Sequence, residues 1–211
     1  MDFHSLENEL RKRIKSPYSW GRKQQNIFDK QTNFIYKTAS FELISEEIEN
    51  KFRDNPAYDD LKNYTLNRWF NFWSAKAVEA IFCNYINVKP HPNLLSKFID
   101  FYIDEIPFDH KTTVFPKGFE KSIPYAMEHK HELIEWLYKN QSSEHRKHFK
   151  NRLFIVLGNY ENNNEHWKLK AEINWLKDVI SAYLRNFEST KLHSFTSENG
   201  IVKADIIWAI K

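Results

Sequence analysis

Between Leu66 and Ile86 apolar residues fall on nearly every side of a helical wheel, among them Trp69, Phe70, Phe72, Trp73, Val78, Ile81 and Phe82. A helix with no broad polar face belongs inside a core, and Glu79 is the only acid it carries there. A second run, Arg152 to Leu157, is continuously apolar after its first residue and ends at Gly158. Its length and composition predict a strand covered on both faces, which requires helices above and below a sheet. A chain of 211 residues with 41% hydrophobic residues has material for one sizeable core but not for two comfortable domains.

The remaining segments supply the covering layers. Leu6, Leu10 and Ile14 recur every fourth residue, which predicts a helix from Ser5 that stops at Ser16-Pro17. Ser40 is placed to cap a helix running through Ile44, Ile48 and Phe52 and ending before Asn55-Pro56. A further short helix is expected from Asp59 to Tyr64, completing an N-terminal helical arm over residues 1–65, packed on a core over 66–211. Pro124 suits the first turn of a helix continuing through Leu133, Ile134 and Leu137. Leu169, Ile173, Leu176, Ile180 and Leu184 mark a last amphipathic helix, and Gly200 to Ile210 reads as a closing strand. The expected class is α/β or α+β, a small mixed sheet flanked by helices. Four glycines leave no Gly-rich phosphate loop.

Composition narrows the chemistry. Cys83 is the only cysteine, so neither an intramolecular disulfide nor a cysteine-based zinc cage is available. The longest apolar runs fall short of the ~20 residues a membrane helix needs, and Met1 to Leu10 is polar, so a soluble, cytoplasmic protein without membrane contact is expected. The net charge is only +3, which permits nucleic acid without demanding it. Arg11, Lys12, Arg13 and Lys15 cluster, as do Arg146, Lys147, Lys150 and Arg152, and either group can track a phosphate backbone or form a solvated helix face.

The segment from Lys97 to Thr113 carries the functional signal. It reads as a β-hairpin around Asp104-Glu105, and a two-residue turn there pairs residues whose numbers sum to 209. Alternation then places Ile99, Phe101, Ile103, Ile106, Phe108 and His110 on an inward face. Phe98, Asp100, Tyr102, Pro107, Asp109 and Lys111 share the other, with Asp100 opposite Asp109. Like charges in that position repel, so two carboxylates there call for a cation, and a hard divalent ion is the natural one. Lys111 would orient or deprotonate an attacking water beside it. Pro107 removes a backbone donor, which suits an edge or a bulge, and a bulge would turn Asp100 to the inward face.

Phe98-Ile99-Asp100 followed by Phe108-Asp109-His110-Lys111 resembles the PD-(D/E)xK nuclease superfamily, with Ile99 standing where that family often has proline. Acid-x-Lys also occurs at Glu49 to Lys51, Asp60 to Lys62 and Glu128 to Lys130, but those lie in helical patterns. The likeness spans roughly residues 66–158 in the order helix, hairpin, helix, strand, and implies a restriction-endonuclease-like core. It further implies a Mg²⁺-dependent DNA endonuclease, with Mn²⁺ as a substitute, acting on double-stranded DNA in restriction or defence. Asp100, Asp109 and the His110 backbone carbonyl would hold the metal, Lys111 would assist the water, and Glu79 would join them from the preceding helix. Lys117, Arg146, Lys147, Lys150 and Arg152 would bind DNA phosphates. The sequence is equally compatible with a monomer and with a homodimer.

Two other readings stay open. One is a member of the same fold without catalysis, acting as a nucleic-acid-binding or protein-interaction module. The other is a histidine-dependent metal enzyme drawing on His129, His131, His145 and His148, some of which have helical spacings that can bind zinc.

Overall fold

Asp2 opens the first helix by accepting backbone hydrogen bonds from His4 and Ser5, and α1 (Phe3–Ile14) buries Leu6 and Leu10. The computed structural model describes residues 1–16, 18–19, 26–93, 96, 98–140, 150–161, 165–197 and 200–211. After α2 (Asn26–Gln31), Ser40 caps α3 (Phe41–Phe52) through Leu43, as the sequence predicts, and Ile44, Ile48 and Phe52 point inward. The short helix expected from Asp59 and the buried helix expected from Leu66 are one continuous helix, α4 (Tyr58–Cys83). The change in hydrophobic pattern along it marks a change of surroundings and not a break.

Two compact units divide the chain, and the division falls within α4. The first comprises Met1–Ala77 and Lys170–Asn174 and is helical. Its core gathers Leu10, Ile35, Ile44, Trp69 and Phe70, while Trp69 and Trp73 donate their indole N–H groups to the carbonyls of Thr38 and Ile35. Large aromatic side chains are thus buried without orphaning their polar ends. No helix among the described residues is long and apolar enough to cross a membrane.

The second unit, Val78–Leu169 with Trp175–Lys211, is built on a six-stranded mixed sheet. Its strands are β1 (Val88–Pro90), β2 (Phe101–Ile103), β3 (Ile106–Val114), β4 (Arg152–Gly158), β5 (His193–Ser197) and β6 (Gly200–Ile210), in the spatial order β1-β2-β3-β4-β6-β5. β1, β2 and β3 form an antiparallel meander, β4 and β6 run parallel to β3, and β5 closes the far edge antiparallel to β6. The strand read from the sequence at 152–158 is buried on both faces.

Helices α5 (Ile123–Glu128) and α6 (Lys130–Asn140) cover one face, packing Leu133, Ile134 and Leu137 against Phe154, Val156, Ala204 and Ile206. They replace the single helix expected from Pro124, because His129 leaves the helical region at φ −114°, ψ 48°. On the other face lie α7 (Ile173–Arg185) with the following Phe187, which meets Phe108, and the end of α4, where Phe82 stacks on Phe101 at 4.5 Å. The class is therefore mixed α/β, a six-stranded mixed sheet flanked by helices.

Candidate active site

Strands β2 and β3 pair Ile103 with Ile106, Tyr102 with Pro107 and Phe101 with Phe108, the register required by a two-residue turn. Asp104 and Glu105 make that turn with φ of 46° and 66°, both in the left-handed region that a primed hairpin turn demands. Phe101, Ile103 and Phe108 are buried, so the inward face is the expected one.

The ladder departs from this register one residue before Phe101. The Asp100 N–H donates to the carbonyl of Phe108, the residue already opposite Phe101, so two residues of one strand face one of the other, as in a bulge. The Asp100 carboxylate consequently turns to His110: Oδ2 accepts from the His110 backbone N–H at 2.8 Å and lies 2.7 Å from Nδ1 of its ring. That ring sits among Phe82 and Phe101, on the α4 side of the sheet. The expected face-to-face pairing of the Asp100 and Asp109 carboxylates is thus corrected, because the bulge rotates Asp100 out of alternation.

Asp109 looks the other way, toward α6. Its Oδ2 accepts a hydrogen bond from Arg152 Nε at 2.6 Å and lies 2.6 Å from Nη2 in the same ion pair. The contact follows from the parallel register, in which Asp109 and Arg152 are direct partners on β3 and β4. Lys111 follows Asp109 on the same face and is half-buried. Burial lowers its pKa below the ordinary lysine value, the Arg152 charge lowers it further, and Asp109 opposes both. The Arg152 guanidinium lies 5.6 Å from the Tyr138 ring, and Tyr138 donates its hydroxyl to the Lys150 carbonyl at 2.6 Å. Burial raises the Tyr138 pKa well beyond the neutral range, so this hydroxyl stays protonated.

A divalent ion shared by Asp100, Asp109 and Glu79 does not fit this arrangement. One carboxylate is bound to His110 and the other to Arg152, while Glu79 is half-buried on α4, one turn before Phe82. Among the described residues no three His, Cys, Asp or Glu side chains form a group that could hold a metal. The His110 carbonyl belongs to the same stretch of β3.

Three of the expected phosphate-binding residues lie within the described residues. Lys117 is exposed on a 3₁₀ turn after β3, Lys150 places its ammonium 4.0 Å from the centre of the Phe98 ring, and Arg152 is committed to Asp109. Arg146 and Lys147 lie outside the described residues, as do His145 and His148 of the histidine reading. His129 stacks on Tyr125 at 4.1 Å, and His131 faces His193 with ring centres 6.1 Å apart.

One polar centre goes unnoticed in the sequence. Asp205, buried on β6, accepts from the Lys130 ammonium at 2.5 Å, the Tyr183 hydroxyl at 3.0 Å and the Ile206 N–H at 2.8 Å. The signal that would have found it is an aspartate between Ala204 and Ile206-Ile207 in a mostly apolar strand, which has to be satisfied internally. Asn151 is a second such case: its side chain donates to the Pro107 carbonyl and accepts from the Lys203 N–H, fastening the start of β4 to both neighbouring strands.

The chain matches no protein-family model, no curated protein and no solved structure.

Proposed function

We propose that this protein is a DNA-cleaving phosphodiesterase on a restriction-endonuclease-like core, with Asp109 and Lys111 of β3 at its active site. The observation that carries the reading is Lys111, a half-buried lysine with a lowered pKa, held beside Asp109 and Arg152 on an Asp-x-Lys strand. A lysine in such a place gives up its proton more readily than one in water and can serve proton transfer to or from an attacking water. The order α4, β2–β3 hairpin, α5–α6, β4 supports the fold assignment, since it is the order that the resemblance implies.

Three side chains have roles in this reading. Lys111 moves the proton, Arg152 offers its guanidinium to phosphate oxygens, and Asp109 positions both cations. Mg²⁺, which the resemblance also implies, would supply Lewis acidity, but the carboxylates in their present directions do not fit it. Incubation of the protein with plasmid DNA in Mg²⁺ or Mn²⁺ tests the proposal. The wild type should cut, and Asp109→Ala and Lys111→Ala should each lose about a hundredfold or more of the rate. Equal cutting by all three would overturn it.

A second reading, a nucleic-acid-binding member of the fold without catalysis, is favoured by one observation: Asp100 and Asp109 are each bound to a different cationic or imidazole partner. It predicts DNA binding that weakens with salt, with no cleavage at any metal concentration.

A further inference from the structure

His131 and His193 lie far apart in the chain, and the register of β5 brings them together. His193 pairs with Ala204 on β6, and Ala204 packs into the cluster that holds Leu133, Ile134 and Leu137 of α6. Direct partners on neighbouring antiparallel strands share one face of a sheet, so His193 is presented to α6, whose first turn carries His131. The two ring centres are 6.1 Å apart and the ring planes are tilted by 38°. Phe195, the next residue on that face of β5, lies 5.8 Å from the His193 ring and 5.0 Å from the Tyr138 ring.

Hydrogen bonding sets this pair apart. Nε2 of His193 is shielded from solvent and has no hydrogen-bond partner. His131, exposed on α6, makes no hydrogen bond to a described residue either. A buried polar atom is nearly always satisfied by protein, water or an ion, because leaving it bare forfeits its hydration. The neighbouring polar groups are satisfied: Nδ1 of His129 lies 3.1 Å from the Tyr125 carbonyl, and the Lys130 ammonium is paired with Asp205 at 2.5 Å. The need for a partner is thus local to the two imidazoles.

We infer that His131 and His193 form a binding site for one divalent transition-metal ion of the imidazole-preferring kind, Zn²⁺ or Cu²⁺, which ties edge strand β5 to α6. Two imidazoles sharing an ion at about 2.0–2.1 Å from each nitrogen hold their ring centres about 5–6.5 Å apart, the lower figure belonging to a tetrahedral angle. The observed 6.1 Å falls in that range, and His131, being exposed, can turn inward to narrow the angle. Imidazole suits Zn²⁺, Cu²⁺ and Ni²⁺, whereas Mg²⁺ takes oxygen ligands, so this site differs in kind from one serving Mg²⁺. No third His, Cys, Asp or Glu is grouped with the pair among the described residues, so water or an oxyanion fills the other positions on the ion. The inference goes beyond the nuclease reading and does not depend on it.

Calorimetry of the full chain with Zn²⁺, in a buffer that does not chelate it, tests the site. One equivalent should bind, and His131→Ala and His193→Gln should each weaken it about tenfold or more. His131 is exposed and glutamine keeps a polar group at 193, so both variants should fold, which their metal-free thermal midpoints check. His129→Ala and the double variant His145→Ala/His148→Ala should bind Zn²⁺ as the wild type does. Cu²⁺ should bind more tightly than Zn²⁺, and Mg²⁺ in about a hundredfold excess should displace neither. Zn²⁺ at about a hundred times its dissociation constant should raise the wild-type thermal midpoint by about 5 °C, and that of the two variants by less. The absence of a saturable Zn²⁺ equivalent overturns the inference. So does binding that either His131→Ala or His193→Gln leaves unchanged, whichever other histidines then prove to hold the ion. Plasmid cleavage in Mg²⁺ should be the same for His131→Ala as for the wild type, so this site and the nuclease reading stand or fall separately.

Discussion

Replacing Lys111 with methionine should make the protein more stable while removing its proposed activity. Methionine retains the unbranched apolar stem and deletes the ammonium, whose pKa is lowered chiefly by burial and next by Arg152. Asp109 is not orphaned by the change, because Arg152 keeps its hydrogen bond and ion pair to Oδ2. Exchanging a buried charge for an apolar group of similar volume is neutral or stabilising by up to about 4 kcal/mol. Lys111 is half-buried and also forgoes some attraction to Asp109, so the gain belongs at the lower end, about 1 kcal/mol, or ~2–4 °C in Tm for a chain of this length. The pH dependence follows from the direction of the shift. Below the folded-state pKa both states carry the proton, and the penalty of burying it is complete. As pH rises from there toward 10.5, the folded state sheds its proton first, and wild-type stability rises relative to the variant. Urea unfolding at about pH 7 and about pH 10 should therefore show a gap that closes in the alkaline sample. A variant less stable than wild type at neutral pH, or a gap that does not change with pH, would refute the electrostatic account of Lys111.

Two further changes probe the frame around the site. Glu105 occupies the left-handed region at φ 66°, which costs a residue with a Cβ about 1–2 kcal/mol. Glu105→Gly creates the favoured Asp-Gly turn and, after the entropy glycine loses on folding, should add about 0.5–1 kcal/mol in urea unfolding, with a loss of stability as the contrary result. Asp205→Ala removes the acceptor of Lys130 and Tyr183; since Lys130 can turn partly to water, the expected loss is about 3 kcal/mol, and a thermal midpoint within error of wild type would contradict it.

Much of the second unit is legible before any coordinates. The hairpin register follows from the two-residue turn and the alternation of Phe101, Ile103, Ile106 and Phe108, and it is the register observed. The limits of β4 follow from an unbroken apolar run ended by Gly158, and those of α3 from Ser40 and Asn55-Pro56. These signals are local, so each survives whatever surrounds it. β5 is not legible, because His193, Ser194, Thr196 and Ser197 give an edge strand little apolar patterning and its existence depends on pairing with β6. The bulge at Asp100 is legible only as an alternative that Pro107 raises, for a related reason. Alternation assumes an unbroken ladder, and what breaks it is a carboxylate finding both the backbone and the ring of a residue ten positions away.

The candidate site divides along the same line. Sequence alone identified an inward apolar face, an Asp-x-Lys strand and a buried strand beside it, since periodicity and composition act over a few neighbouring residues. Only the tertiary structure decided that Asp109 belongs to Arg152, Asp100 to His110 and Asp205 to Lys130 and Tyr183. The partner of a buried charge is whichever opposite group the assembled sheet brings within reach. In a parallel sheet that group lies on a strand a crossover away, beyond the range of any local pattern.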